Sequence, residues 1–236
     1  MEKELTQLVE KLQKAFAARL VSVVLYGSGA IGERHPGFSD FNILCVLSEI
    51  GTPELSAGEE IFRWWRAQGS PAPLLLTESE LAAGSDTFSI EFHDIRENHR
   101  LLFGKDVVST LAIEDGFYRA QVEHELRAKL LRLRQKACGM FSEADLLGRM
   151  LVDSLSTFCV LFRHALALSG HPAPLKKREI IQGAREHFGI DAGPFERLLD
   201  VREGRIKVRD LQPAGLLASY LQGISTVVQA VDGLKK

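Results

Sequence analysis

The residues best suited to chemistry lie between positions 25 and 44. That stretch reads Leu25-Tyr26-Gly27-Ser28-Gly29-Ala30-Ile31-Gly32-Glu33-Arg34-His35-Pro36-Gly37-Phe38-Ser39-Asp40-Phe41-Asn42-Ile43-Leu44. Gly27 ends a short β-branched run, and without a Cβ it lets a polyphosphate come close to the backbone. Ser28 follows with a hydroxyl and an amide at the mouth of a short helical turn, which suits an anion. Asp40 and Asn42 open a second apolar run. Two residues apart on a strand, they point to the same face. Two oxygen-bearing side chains beside a phosphate loop are what a Mg²⁺–nucleoside triphosphate requires.

The elements that must position these groups follow from periodicity. Leu5, Leu8, Leu12, Ala15 and Phe16 recur at helical spacing, predicting an amphipathic helix over 2–19. Residues 21–26 and 41–47 read as buried strands flanking the glycine-rich loop. A helix is predicted over 54–68, with one of Trp64 and Trp65 in the core and the other an interface or half-exposed residue, and a third strand at Leu74–Leu76. Phe88, Ile90 and Phe92 alternate with Ser89, Glu91 and His93, which predicts a half-exposed strand or extended segment, and Leu101–Phe103 a last edge strand. The second half carries helical stripes only. Helices are predicted over 117–137, from an N-cap at Ser142 to Leu168, and at 176–187, 194–203 and 213–233. The fold class expected is α/β with a small mixed sheet over 1–110, followed by an all-α helical bundle over 115–236.

The Gly27-Ser28 and Ser39-Asp40 pairs, placed strand–loop–strand, resemble the nucleotidyltransferase superfamily. It includes DNA polymerase β, the aminoglycoside nucleotidyltransferases and the minimal nucleotidyltransferases of toxin–antitoxin pairs. Ala30, Gly32 and Glu33 add to the likeness, which covers roughly residues 20–105. A helical domain after the catalytic one is likewise similar to the aminoglycoside-modifying members. The resemblance implies transfer of a nucleoside monophosphate from a nucleoside triphosphate, with Mg²⁺ or Mn²⁺, to a hydroxyl of a small molecule or protein. Gly27, Ser28 and Ser39 would hold the nucleotide, and Asp40 with Asn42 the metal. Asp40 would be catalytic, and Glu91 or a glutamate of the helical half (Glu123 or Glu125) would take the proton.

This sequence departs from the family pattern where a second carboxylate belongs, because Asn42 offers one neutral carbonyl oxygen. The strand where a third acid is expected, 72–76, contains none, and Glu91 and Asp94 are the nearest. The residues therefore admit two further readings. One is an inert nucleotide-binding protein that keeps the fold, and the other an antitoxin-like module acting through a protein partner. Each candidate also has a plain structural reading: Asp40 as a cap or turn residue, Ser28 as a turn former, Asn42 as a structural amide, Glu91 as an exposed strand residue.

Composition sets the remaining bounds. The chain has 236 residues, 45% hydrophobic and 25% charged, within ordinary globular usage. The net charge of −2 divides unevenly. Residues 1–116 carry 10 Lys+Arg against 18 Asp+Glu, net −8, and residues 117–236 carry 19 against 13, net +6. Lys129, Arg132 and Lys136 share one face of a predicted helix. That face could meet phosphates, or be a solvated surface laced with i,i+4 pairs. The overall charge and the lack of interleaved aromatics argue against nucleic acid as the partner. The N-terminus lacks a signal-peptide pattern, the apolar run 155–168 is broken by Arg163 and His164, and Cys45, Cys138 and Cys159 lack metal or disulfide spacing. The expectation is a cytoplasmic protein with no membrane partner, whose helical half contacts substrate or forms a homodimer interface.

Overall fold

Among the described residues, a four-stranded sheet with two helices on each face makes up the first of two units, 1–117, and five helices make up the second, 118–236. The structure, a computed structural model, describes residues 2–30, 41–84, 87–113 and 116–234.

In the first unit α1 (Glu2–Phe16) leads through a 3₁₀ turn into β1 (Leu20–Tyr26), and β2 (Asn42–Leu47) follows the glycine loop. Next come α2 (Thr52–Ala67), β3 (Leu74–Thr77), α3 (Glu78–Ala83), α4 (Ser89–Glu97) and β4 (His99–Gly104). The strand order is β3-β2-β1-β4. β1 is antiparallel to both β2 and β4, and α2 makes the crossover that lets β3 run parallel to β2. β1 and β2 are central strands buried on both faces, which is why they read as continuous apolar runs rather than alternating ones. Val23, Leu25, Ile43 and Cys45 face Leu5, Leu8, Leu12 and Phe16 of α1 and Ile61 and Trp65 of α2. Val24, Leu44 and Val46 face Leu81, Phe92, Ile95 and Val108. Trp65 is fully buried and Trp64 only partly, as expected for that pair. Burial pushes the Cys45 thiol up to about 12.

Two expectations fail here. Residues 89–97 are a helix, not a strand. Six residues of alternation fit between one and two turns of helix equally well, and the Phe88 and Phe92 rings meet one turn apart, 6.2 Å between centroids. Ser142 is not an N-cap either. The long helix starts one residue later, at Ala144, with Glu143 as its cap residue and no side-chain bond to the first turn. α3 has no apolar stripe to betray it. Its start is written in a capping box, in which the Glu80 amide donates to Thr77 Oγ1 (3.1 Å) and the Thr77 amide to Glu80 Oε2 (2.8 Å).

The second unit comprises α5 (Tyr118–Cys138), α6 (Ala144–Leu168), α7 (Lys177–Phe188), α8 (Gly193–Arg202) and α9 (Pro213–Asp232). α6 is central and touches the other four. Its Phe158 and Phe162 stack into an aromatic core with Phe195 and Tyr220, the last two 4.7 Å apart between centroids. Tyr118 and His164 share a buried 2.5 Å hydrogen bond. By length and composition α6 and α9 could each cross a bilayer. In this structure their apolar sides are turned toward one another and toward α5, α7 and α8.

Candidate functional site

β1 delivers the chain into the glycine loop, and its neighbours hold the loop in place. Tyr26, the last residue of β1, sits in register with Asn42 on one side and His99 on the other. Gly27 then turns with φ +73°, a left-handed conformation that an L side chain resists. Its amide donates to the Asn98 carbonyl (3.0 Å), and its own carbonyl accepts from the Ala30 amide (3.0 Å), closing a single 3₁₀ turn over 27–29. Among the described residues of the loop, the Gly27 and Ala30 amides are thereby committed, which leaves those of Ser28 and Gly29 for a phosphate.

Asn42 stands directly against the loop. A Cβ placed on Gly27 would lie 3.4 Å from Asn42 Nδ2, and one on Gly29 would lie 3.2 Å from the Phe41 ring. Phe41 is buried against Trp65, 6.1 Å between centroids, and so anchors the start of β2. The pairing of Tyr26 with Asn42 thus brings Gly27 and Asn42 together.

Glu91 reaches the same neighbourhood by a different route from the one its alternation predicts. It lies exposed in the first turn of α4, and its negative charge, after burial, is the second cause that raises the Tyr26 phenol above its ordinary value. One exposed carboxylate therefore stands within electrostatic reach of the residue that precedes Gly27. Ser39 and Asp40 lie outside the described residues, as does the Ser28 side chain.

The donor set can be weighed against a divalent cation. Among the described residues, no group of three or more His, Cys, Asp or Glu side chains converges on a metal-sized space. Of the candidates, Asn42 has one neutral amide oxygen to offer and Glu91 a carboxylate. A Mg²⁺ ion, which favours oxygen ligands including carboxylates, would need Asp40 as well.

Sequence reasoning missed two residues of this site. Asn98 is buried, clamps Gly27 through its carbonyl, and has a side-chain Oδ1 that accepts no hydrogen bond from the described residues. No local signal marks it, because its place depends on the pairing of β4 with β1. Tyr26 is the other, and its aromatic side chain beside a strand-ending glycine was readable. The helical-half glutamates fare less well as bases. Glu123 is held between Arg119 (2.9 Å) and Arg127 (2.8 Å), and Arg127, the larger cause, with Arg119 lowers its proton affinity. Glu125 pairs with Lys129 at 3.3 Å.

Comparisons with known proteins agree with the fold. No protein-family model matches the chain, and no curated protein sequence matches it. Among solved structures, it is similar to the crystal structure of spectinomycin adenyltransferase AAD(9) from Enterococcus faecialis with ATP and spectinomycin. The TM-score is 0.60 at 14% identity, covering 98% of this chain and 99% of that one. The chain therefore carries the α/β nucleotidyltransferase fold of the polymerase β type, followed by a helical region.

Proposed function

We propose that this protein is a nucleotidyltransferase that binds a nucleoside triphosphate at the Gly27–Ser28–Gly29 loop. Its acceptor would be a hydroxyl of a small molecule or a protein. The observation that carries the reading is the packing of Gly27 on Asn42 at the ends of paired central strands, within a fold shared end to end with an enzyme solved with ATP. In the proposed reaction the acceptor oxygen attacks the α-phosphorus, a new oxygen–phosphorus bond forms, and the bond to the departing pyrophosphate breaks. Glu91, exposed and near Tyr26, takes the acceptor's proton. The Ser28 and Gly29 amides and Ser39 hold the phosphates, while Asp40 and Asn42 hold a Mg²⁺ or Mn²⁺ ion. When bound, that ion neutralises charge on the phosphates and the departing pyrophosphate. Catalysis of this kind is mainly positioning and charge neutralisation, so a neutral Asn42 in place of a carboxylate lowers the rate directly.

The second reading, a nucleotide-binding protein without turnover, is favoured by that same Asn42 and by the missing acidic cluster among the described residues. Calorimetric titration of ATP, GTP, CTP and UTP into the full chain with Mg²⁺ or Mn²⁺ tests both. Binding abolished by Asp40→Ala supports the loop site. Absence of binding for every triphosphate sinks it. Asn42→Asp then separates the readings: tighter metal-dependent binding together with the appearance of turnover favours the inert form, whereas an existing activity that only increases favours the enzyme.

A further inference from the structure

The helical unit contains a cavity of about 600 Å³ between α5 and α6, unrelated to the glycine loop in residues or chemistry. That volume is in the range of small-molecule sites. From α5 it is lined by Lys129, Arg132, Leu133 and Lys136, spaced along one helical face, and from the turn that follows by Met140. α6 contributes Arg149 and Asp153 among its lining residues, and the fully buried Phe158. Four cations and one carboxylate therefore surround a floor of Leu133 and Phe158.

The pairing pattern on α5 makes this cluster unusual. Up to Lys129, the basic residues named for this helix are matched: Arg119 and Arg127 with Glu123, Arg127 with Asp232, Lys129 with Glu125. Pairing stops within the lining, after Lys129. Arg132, Lys136 and Arg149 make no ion pair among the described residues. The one acid in the lining is the exposed Asp153, set against four cations. An adjoining shallower hollow shares Leu146 and Arg149 and adds Glu143 and Asp145, so the cationic character belongs to the α5 side. Like charges gathered around a partly apolar hollow create a field that an anion relieves.

We infer that this cavity is a binding site for a small anionic molecule with an apolar body, its carboxylate, sulfonate or phosphate held by Arg132, Lys136 and Arg149. A small molecule fits better than a polyanion because the hollow is concave and floored by apolar side chains. The inference goes beyond the proposed nucleotide transfer and stands without it.

The test is fluorescence titration of the full chain with 8-anilinonaphthalene-1-sulfonate, without nucleotide or metal. Single-site binding is expected, weakening with added salt. Arg132→Gln and Lys136→Gln should each weaken it roughly tenfold, the scale of one charge-assisted hydrogen bond. Arg209→Gln, an exposed cation elsewhere in the unit, should leave it unchanged, and all three variants should melt like the parent chain. The neutral analogue N-phenyl-1-naphthylamine should bind more weakly and ignore the substitutions. Three results would overturn the assignment: no sulfonate binding, sulfonate binding that is unchanged in Arg132→Gln and Lys136→Gln, or a 20-nucleotide single strand that outcompetes the sulfonate and depends on the same residues.

Discussion

Gly104→Ala tests the way β4 closes against β1. Gly104 has φ +80°, and a Cβ there would lie 2.1 Å from the Val21 carbonyl oxygen and 3.0 Å from its carbon. That oxygen accepts from the Lys105 amide (3.1 Å), so it cannot withdraw without losing a sheet-edge hydrogen bond. Gly27→Ala is the matched control: its φ is similarly positive, but the nearest atom to a new Cβ is the Asn42 amide at an ordinary 3.4 Å. Left-handed backbone costs an L residue about 1–2 kcal/mol, so Gly27→Ala should lose that much. Gly104→Ala adds an overpacking penalty of about 1–3 kcal/mol, for a total of ~2–5 kcal/mol. Against the ~5–15 kcal/mol of a typical domain this is a large loss. Trp64 and Trp65, the chain's two tryptophans, both lie in α2, so urea unfolding followed by tryptophan fluorescence reports on the first unit. If Gly104→Ala costs no more than Gly27→Ala, the close approach of Gly104 to Val21 is wrong.

Further expectations concern acid stability and the helical core. Asp106 is held at about 2, chiefly by hydrogen bonds from the Ser109 hydroxyl and amide, so it favours the folded state above the ordinary carboxylate range and loses that contribution as pH falls from about 4 to about 2. Ser109→Ala should raise its pKa in a carbon-detected NMR titration and flatten the acid limb of the stability profile between those pH values. An unmoved titration would rule out the hydroxyl as the cause. In α9, a Cβ at Gly223 would sit 2.8 Å from the ring of the fully buried Phe195. Gly223→Ala should therefore cost about 1–3 kcal/mol in a denaturation followed by circular dichroism, and a neutral result would mean that the Phe195–Tyr220–Phe162 stack has room to shift.

Elements whose signal is local were legible in the sequence. The stripe Val122, Leu126, Leu130 and Leu133 marks α5, and all four are buried. The apolar run that ends at Gly27 marks β1 because a central strand has no solvent face to alternate with. Elements whose signal is short or relational were not. The Phe88–His93 alternation is too brief to separate period 2 from period 3.6, and the parallel pairing of β2 with β3 depends on a crossover that no local spacing records. The candidate site divides in the same way. Gly27 and Asn42 were readable from type and spacing, but Asn98 belongs to the site only because β4 pairs with β1. In the helical unit the spacing of Lys129, Arg132 and Lys136 was visible on one helix. That Arg149 joins them follows from the packing of α5 on α6.

The uneven charge of the chain assigns different requirements to its two candidate ligands. The boundary between the units falls after Phe117, so the first unit carries the net −8 and the second the net +6. A triphosphate that reaches the glycine loop approaches an acidic unit and finds, among the described residues, two uncommitted loop amides. Coulomb repulsion must then be cancelled by a divalent cation, and chelation with EDTA should abolish nucleotide binding at the loop. An anion in the α5–α6 cavity meets permanent cations, so EDTA should leave it bound while added salt releases it. Titrating ATP and the naphthalene sulfonate in separate experiments, each with EDTA and each with high salt, distinguishes the two sites without any substitution. If ATP binding survives EDTA but is lost in Arg132→Gln and Lys136→Gln, the triphosphate sits in the helical cavity. The glycine loop would then be a structural turn between two central strands, and Asn42 its packing partner rather than a metal ligand.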